Sequence, residues 1–326
     1  MIITKTPYRI SFFGGGTDYS EWYRENGGAF LSATINKYIY LSVRSLPSFD
    51  GNNYRVVWSK VETTNKIKRI EHNVVREMLG QFKVNKGMEI HYQGDLPARS
   101  GMGSSSSFVV GLMNCFLNMK KNGVLKKNLA KKSIHFEKKI LRETVGIQDQ
   151  ISAAYGGFNR VRISPKGEFV VKKFKNNHSI SNLGKNLILI YTGINRTASD
   201  IAKKYVGNLK KKNMVLKEIS TQVKEGENFL LNNKFDDFGL LLNEGWKLKK
   251  SIDKVITNKK IDELYDFAIK NGATGGKILG AGGGGFMLLY SPKNKILKLK
   301  KSLKNTTIIP FKFSDTGSEI LLNTEK

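Results

Sequence analysis

The apolar positions of this chain change rhythm several times. Over the first 60 residues they come in short β-branched and aromatic runs, Tyr8 to Phe13 and Lys37 to Val43, with glycine between them, which predicts strands. Val74 to Phe82 suits a short helix and Met88 to Tyr92 a strand. Helical spacing dominates from Ser105 to about Ala154. Strands are then predicted at Phe158 to Ile163, Phe169 to Phe174 and Leu187 to Tyr191. Thr197 to about Lys270 reads as several helices. The end alternates again: a glycine loop, a strand at Phe286 to Tyr290, a helix over Lys293 to Lys304 and a strand at Thr307 to Phe313. In that helix Ile296, Leu299 and Leu303 recur at three- and four-residue spacing, giving one buried and one solvated face. With no linker and no repeat, the order predicts an α+β chain of two packed lobes, residues 1–185 and 186–326.

Composition narrows the function classes. The 326 residues are 40% hydrophobic and 25% charged, enough for two sizeable cores. No apolar run approaches the roughly 18 residues of a membrane span, and the N-terminus lacks the apolar stretch of a signal peptide. Cys115 is the single cysteine, so neither an internal disulfide nor a cysteine-rich metal site is expected, and a reducing, cytoplasmic setting is. His72, His91, His135 and His178 are too scattered for a metal site or a catalytic triad. The net charge of +28 raises nucleic acid as a partner. Its excess, however, lies in lysine runs such as Lys210-Lys211-Lys212, without the interleaved aromatics that stack bases. A lysine-coated surface that draws in small anionic substrates accounts for it, with no nucleic acid and no membrane among the partners.

The chemistry is concentrated in four stretches. In "LPARSGMGSSSSFVVGLMN", Leu96 to Asn114, a glycine- and serine-rich loop runs into the start of a buried helix. Such a junction collects unpaired N–H groups and partial positive charge, and glycine lets a ligand close to the backbone. The pattern suits an anion, phosphate above all. In "PYRISFFGGGTDY", Pro7 to Tyr19, a strand carrying Arg9 enters a triple-glycine turn followed by Thr17 and Asp18. "GGKILGAGGGGFMLLY", Gly275 to Tyr290, contains a G-x-G-x-x-G, but a strand follows it where a dinucleotide fingerprint needs a helix. No Walker A loop is present. Finally, "HFEKKILRETVGIQDQISAAYGG" carries Glu137 and Asp149 twelve residues apart. On one continuous helix these would lie about 18 Å apart. The Thr144-Val145-Gly146 break lets the second segment fold back, so that both carboxylates can face the serine loop.

In this order the stretches resemble the kinase superfamily named for galactokinase, homoserine kinase, mevalonate kinase and phosphomevalonate kinase, and the resemblance covers nearly the whole chain. It implies an N-terminal lobe like domain 2 of ribosomal protein S5 and a ferredoxin-like C-terminal lobe. Within the superfamily, "GGGTDY", "PARSGMGSSSSF" and "YTGINR" are most similar to the bacterial kinases that phosphorylate the anomeric oxygen of D-glycero-D-manno-heptose 7-phosphate. The alternatives are another sugar 1-kinase, fucokinase-like or galactokinase-like, and a non-catalytic sugar sensor or RNA-binding protein on the same fold. The presence of Arg9, Ser105, Glu137 and Asp149 weighs against the non-catalytic form.

The resemblance implies roles position by position. Arg99, Gly101, Met102, Gly103, Ser104, Ser105 and Ser106 would bind ATP, and Ser105 with Glu137 would hold Mg²⁺. Asp149 would take the proton of the attacking hydroxyl, with Arg9 orienting it. Gly15, Gly16, Thr17 and Asp18 would bind the sugar, joined by Gly283 and Gly284 from the late glycine loop. The substrate's own phosphate would go to Arg196, beside a predicted helix start, or to Arg99. The histidine of the galactokinase H-T-D-Y is Gly16 here, which argues against galactose, and the expected assembly is a monomer or homodimer.

Overall fold

A computed structural model describes residues 1–47, 51, 53–120, 123–175, 178–194 and 198–324. The first lobe opens with β1 (Ile2–Phe13), α1 (Ser20–Asn26), β2 (Gly28–Ser45), β3 (Tyr54–Val57) and β4 (Val61–Thr64). It continues through α2 (Asn73–Gln81), β5 (Met88–Gly94), α3 (Ser104–Lys120), α4 (Lys126–His135) and α5 (Gln148–Tyr155) to β6 (Phe158–Ile163), β7 (Phe169–Phe174) and α6 (His178–Lys185). The second contains β8 (Leu187–Tyr191), α7 (Ala198–Val206), α8 (Asn213–Leu231), α9 (Phe235–Ile252), α10 (Lys259–Lys270), β9 (Gly275–Ile278), β10 (Phe286–Tyr290), α11 (Ile296–Ser302) and β11 (Thr307–Ile309). The chain ends on β12 (Glu319–Asn323).

Apolar alternation decides the layers. In β1, Tyr8, Ile10 and Phe12 are fully buried, and Phe12 stacks on Phe158 of β6 with ring centroids 5.2 Å apart. The larger sheet runs β12-β1-β2-β5-β3-β4, with β6 and β7 extending from β2, and it is antiparallel except where β3 meets β5. The second sheet, β11-β8-β10-β9, is wholly antiparallel. Numbered within its lobe its strands run 4-1-3-2, the ferredoxin-like arrangement. Its runs "LILIY" and "FMLLY" are apolar at every position because both faces are covered. Leu189 and Leu288 pack into the large first-lobe core, whereas Ile188, Ile190, Met287 and Leu289 pack with Trp246 under the helices.

The end of the chain departs from the two-lobe division drawn from the sequence. β12 leaves the second lobe and pairs antiparallel with β1, Ile2 facing Asn323 and Lys5 facing Glu319. The outer edge of β1 would otherwise present unpaired N–H and C=O groups, and this strand covers it. The strand predicted for Thr307 to Phe313 also shortens. Regular pairing stops at Ile309, and Phe313 makes an isolated bridge to Ile35 of the first lobe. Among the described residues no helix is long and apolar enough to cross a membrane.

Candidate active site

The loop of residues 99–103 is shaped by backbone that favours glycine: Gly101 and Gly103 have φ of 81° and 76°, and Arg99 takes 58°. α3 begins immediately after it, at Ser104, so the unpaired amides of a first helical turn point out beyond the loop. Two anchors hold this turn. The Ser107 hydroxyl donates to the Pro7 carbonyl at 2.9 Å, and the Phe286 amide of β10 donates to the Ser100 carbonyl at 3.0 Å.

Arg9 ties the loop to the Asp149 carboxylate. The β1–β2 register shifts between Pro7 and Arg9, where proline has no N–H to give the ladder. The Arg9 amide donates instead to the Met102 carbonyl at 3.2 Å. Its guanidinium donates to the Gly101 carbonyl at 2.7 Å and to both oxygens of Asp149 at 2.8 Å. A two-pronged contact of this kind fixes the plane of the carboxylate as well as its position. Arg9 is buried, but the Asp149 side chain keeps 29% exposure, so it remains open to a reactant.

Asp149 sits in the first turn of α5, which lacks a side-chain cap of its own. The missing cap comes from the glycine turn. Asp18 Oδ2 accepts the Gln148 amide at 3.1 Å, and the Ile147 amide donates to the Asp18 carbonyl. This contact demands glycine at 146, since a Cβ there would lie 1.8 Å from Asp18 Oδ2. Burial, then the nearby Asp149, raises the Asp18 pKa above the ordinary carboxylate value. Before α5 the chain forms a wide π-type turn at Phe136–Ile140 and unwinds through 141–147, the fold-back required to bring both acidic residues near the loop.

Glu137 is fully buried behind the loop. Its Oε2 accepts from Ser106 at 3.1 Å and from the Gln150 amide, and its Oε1 has no partner. Burial first, then Glu143 and with a smaller contribution Asp149, pushes its pKa up to about 8. Serines 104–106 diverge because successive helix residues turn by about 100°. Ser105 is exposed at the cavity, and it is Ser106, one position beyond the serine expected, that reaches Glu137.

These groups surround one cavity of about 310 Å³. Arg9, Gly15, Gly16, Asp18, Arg99, Gly101, Gly103, Ser104, Ser105, Ser106 and Asp149 all line it. Five residues expected at the site do not, Glu137 among them, buried behind the loop. Met102 buries its side chain in the core and contributes only its carbonyl. Thr17 is buried and donates to the carbonyls of Gly14 and Ala29, closing the glycine turn. Gly283 and Gly284 turn into the second lobe, where the Gly283 amide donates to the Ile256 carbonyl at 2.7 Å and Gly284 packs on Ile194. Arg196 lies outside the described residues. The late loop reaches the cavity through Gly280 and Ala281, and with it come Tyr205 of α7, Lys249 of α9 and Lys277 of β9. Sequence reading missed all three side chains. A tyrosine or lysine in a helix or strand carries no local mark of facing a site that distant segments assemble.

Known proteins match both halves of the chain. The N-terminal domain of the GHMP kinases matches residues 65–157 and their C-terminal domain residues 227–306. The D-glycero-alpha-D-manno-heptose 7-phosphate kinase of Campylobacter jejuni is 30% identical over 97% of both chains. The chain belongs to the GHMP kinase family. Its fold is that of a D-glycero-D-manno-heptose 1-phosphate kinase from Bacteroides thetaiotaomicron, with a TM-score of 0.81, 23% identity and 99% coverage of both chains. A bifunctional fucokinase/GDP-fucose pyrophosphorylase of Arabidopsis thaliana is 25% identical over 91% of this chain and 30% of its own length. As a GHMP sugar kinase, this chain takes ATP and a small sugar as substrates.

Proposed function

We propose that this GHMP kinase transfers the γ-phosphoryl group of ATP to the anomeric hydroxyl of D-glycero-D-manno-heptose 7-phosphate. The product is the 1,7-bisphosphate, an entry to nucleotide-activated heptose. The observation that carries the reading is the Arg9–Asp149 pair, fixed by two 2.8 Å hydrogen bonds against the loop at the start of α3. Similarity to the Campylobacter jejuni heptose 7-phosphate kinase over nearly the whole length supports the choice of sugar.

Phosphoryl transfer needs positioning and charge stabilisation more than covalent chemistry. The N–H groups and hydroxyls at the start of α3 receive the ATP phosphates, with Arg99 beside them. Asp149 accepts the proton of the sugar hydroxyl as it attacks, while Arg9 keeps both carboxylate oxygens aligned and offsets negative charge. The unpartnered Oε1 of buried Glu137 fits a hard cation, with the Ser106 hydroxyl already on the other oxygen of that carboxylate, whereas Ser105 faces the cavity one helix position away. Mg²⁺ held there would neutralise phosphate charge. ATP consumption across a sugar panel tests the proposal. Heptose 7-phosphate should give the highest kcat/KM, and a higher value on fucose or galactose would replace it as the substrate.

A further inference from the structure

Two lysines of the second lobe stand in the cavity without a part in the chemistry above. Lys249 and Lys277 are 7% and 5% exposed. Lys249 donates to the Gly280 carbonyl, and Lys277 crosses between lobes to donate to the Phe12 carbonyl of β1 at 2.6 Å. Among the described residues no carboxylate pairs with Lys277, and its one charged neighbour is another cation, Arg9. An ammonium carries three donors, and one carbonyl uses a single donor. A buried charge left in this state is costly unless an anion joins it.

The position of the pair identifies which anion. Lys249 and Lys277 line the main cavity and also the recess behind the glycine turn, with Phe12, Phe13, Gly14 and Gly15. The recess is small, about 10 Å³, and the room lies on the main-cavity side of the turn, which Gly15 also lines and where a Cβ on it would meet nothing within 4 Å. The ATP loop meets β1 at Arg9, through Gly101 and Met102. Phe12 is three residues further along the strand, about 10 Å at the usual rise. Lys277 is anchored there, at Phe12, while Lys249 holds Gly280, which packs on Gly101 of the ATP loop. An acceptor whose reactive oxygen lies at Asp149 therefore has Lys277 toward its far end and Lys249 between that end and the loop. Arg99 is on the ATP side, its amide 3.3 Å from the Ser104 hydroxyl.

We propose that Lys249 and Lys277 form the subsite for the phosphate that the substrate already carries, remote from the hydroxyl that reacts. This rests on the phosphosugar reading above. It also ties acceptor binding to lobe position, because the cations come from the second lobe and the base from the first.

The test compares heptose 7-phosphate with heptose on the wild type, on Lys249→Met, on Lys277→Met and on the double variant. Each single variant should lose about 10- to 100-fold in kcat/KM on the phosphosugar, the range of a lost charge-assisted hydrogen bond, and stay within about threefold on heptose. Equal losses on both sugars, or a phosphate preference that survives in the double variant, would overturn the subsite and leave the phosphosugar reading intact. A wild type that shows no preference between the two sugars would instead remove the phosphosugar reading itself. The wild type supplies a second readout. At saturating ATP, inorganic phosphate should inhibit competitively against heptose 7-phosphate, and absence of competition contradicts the subsite.

Discussion

Two glycine-rich loops meet at the cavity, and they use glycine for opposite purposes. The loop of residues 99–103 turns its backbone outward: Gly101 and Gly103 line the cavity, and a Cβ on Gly103 would only brush Arg9 and Asp149 at 3.3–3.5 Å. The loop of residues 280–285 turns most of its backbone inward. A Cβ on Gly285 would lie 2.1 Å from the Ser100 carbonyl, and one on Gly282 would lie 2.6 Å from the Ile256 carbonyl. The first loop is bare so that a ligand can approach. The second is bare so that the protein can approach itself and pin the first loop at Ser100. Glycine density alone therefore marks close approach without saying what approaches.

The largest effect should come from the group the outward loop serves. Asp149→Asn keeps the shape and loses the base, so kcat should fall by about 10²–10⁴-fold while affinity for a non-hydrolysable ATP analogue stays within a few-fold. Turnover near wild type in the folded variant would remove Asp149 from the mechanism.

The two loops separate next. Gly285→Ala forces a side chain into backbone at a φ of 87°, and should cost about 2–4 kcal/mol of stability in a denaturant titration. Gly103→Ala, at 76° and meeting only side-chain atoms, the nearest being Arg9 Cγ at 3.3 Å, should cost about 1–2 kcal/mol. Its larger signature should be a raised KM for ATP. Equal stability losses with equal ATP affinities would erase the distinction between the loops.

The smallest effect concerns pH. Burial, with a further contribution from Arg9, pushes the Lys277 pKa down to about 7. In the proposed subsite the protonated form is the one that would bind phosphate, and it is lost as pH rises through that value. The KM for the phosphosugar should thus rise a few-fold from pH 7 to 8, while that for heptose stays flat. Lys277→Met should abolish the difference, and identical pH profiles for the two sugars would exclude the role.

What the sequence made legible follows the same physics. The strands at 158–163, 169–174, 187–191 and 286–290 are continuous or alternating apolar runs, and the structure places strands at those bounds. β9 was hidden because Gly275 and Gly276 are poor strand formers. A Cβ on Gly275 would lie 1.9 Å from the Gly239 carbonyl, so the glycine there admits α9. β12 was hidden because a short, partly exposed run takes its stability from pairing with β1, more than 300 residues away in sequence. The site divides in the same way. Arg9, the serine loop and Asp149 stand in local motifs, whereas Lys249, Lys277 and Tyr205 reach the cavity only through tertiary packing.

The identity of the product tests the proposed phosphoryl transfer most directly. Purified protein should be incubated with ATP and heptose 7-phosphate, and the mixture followed by phosphorus NMR. One ADP should appear for each new sugar phosphorus, and that phosphorus should couple to the anomeric proton while the 7-phosphate signal persists. ATP left unspent, or a new phosphate on any other oxygen, would contradict it.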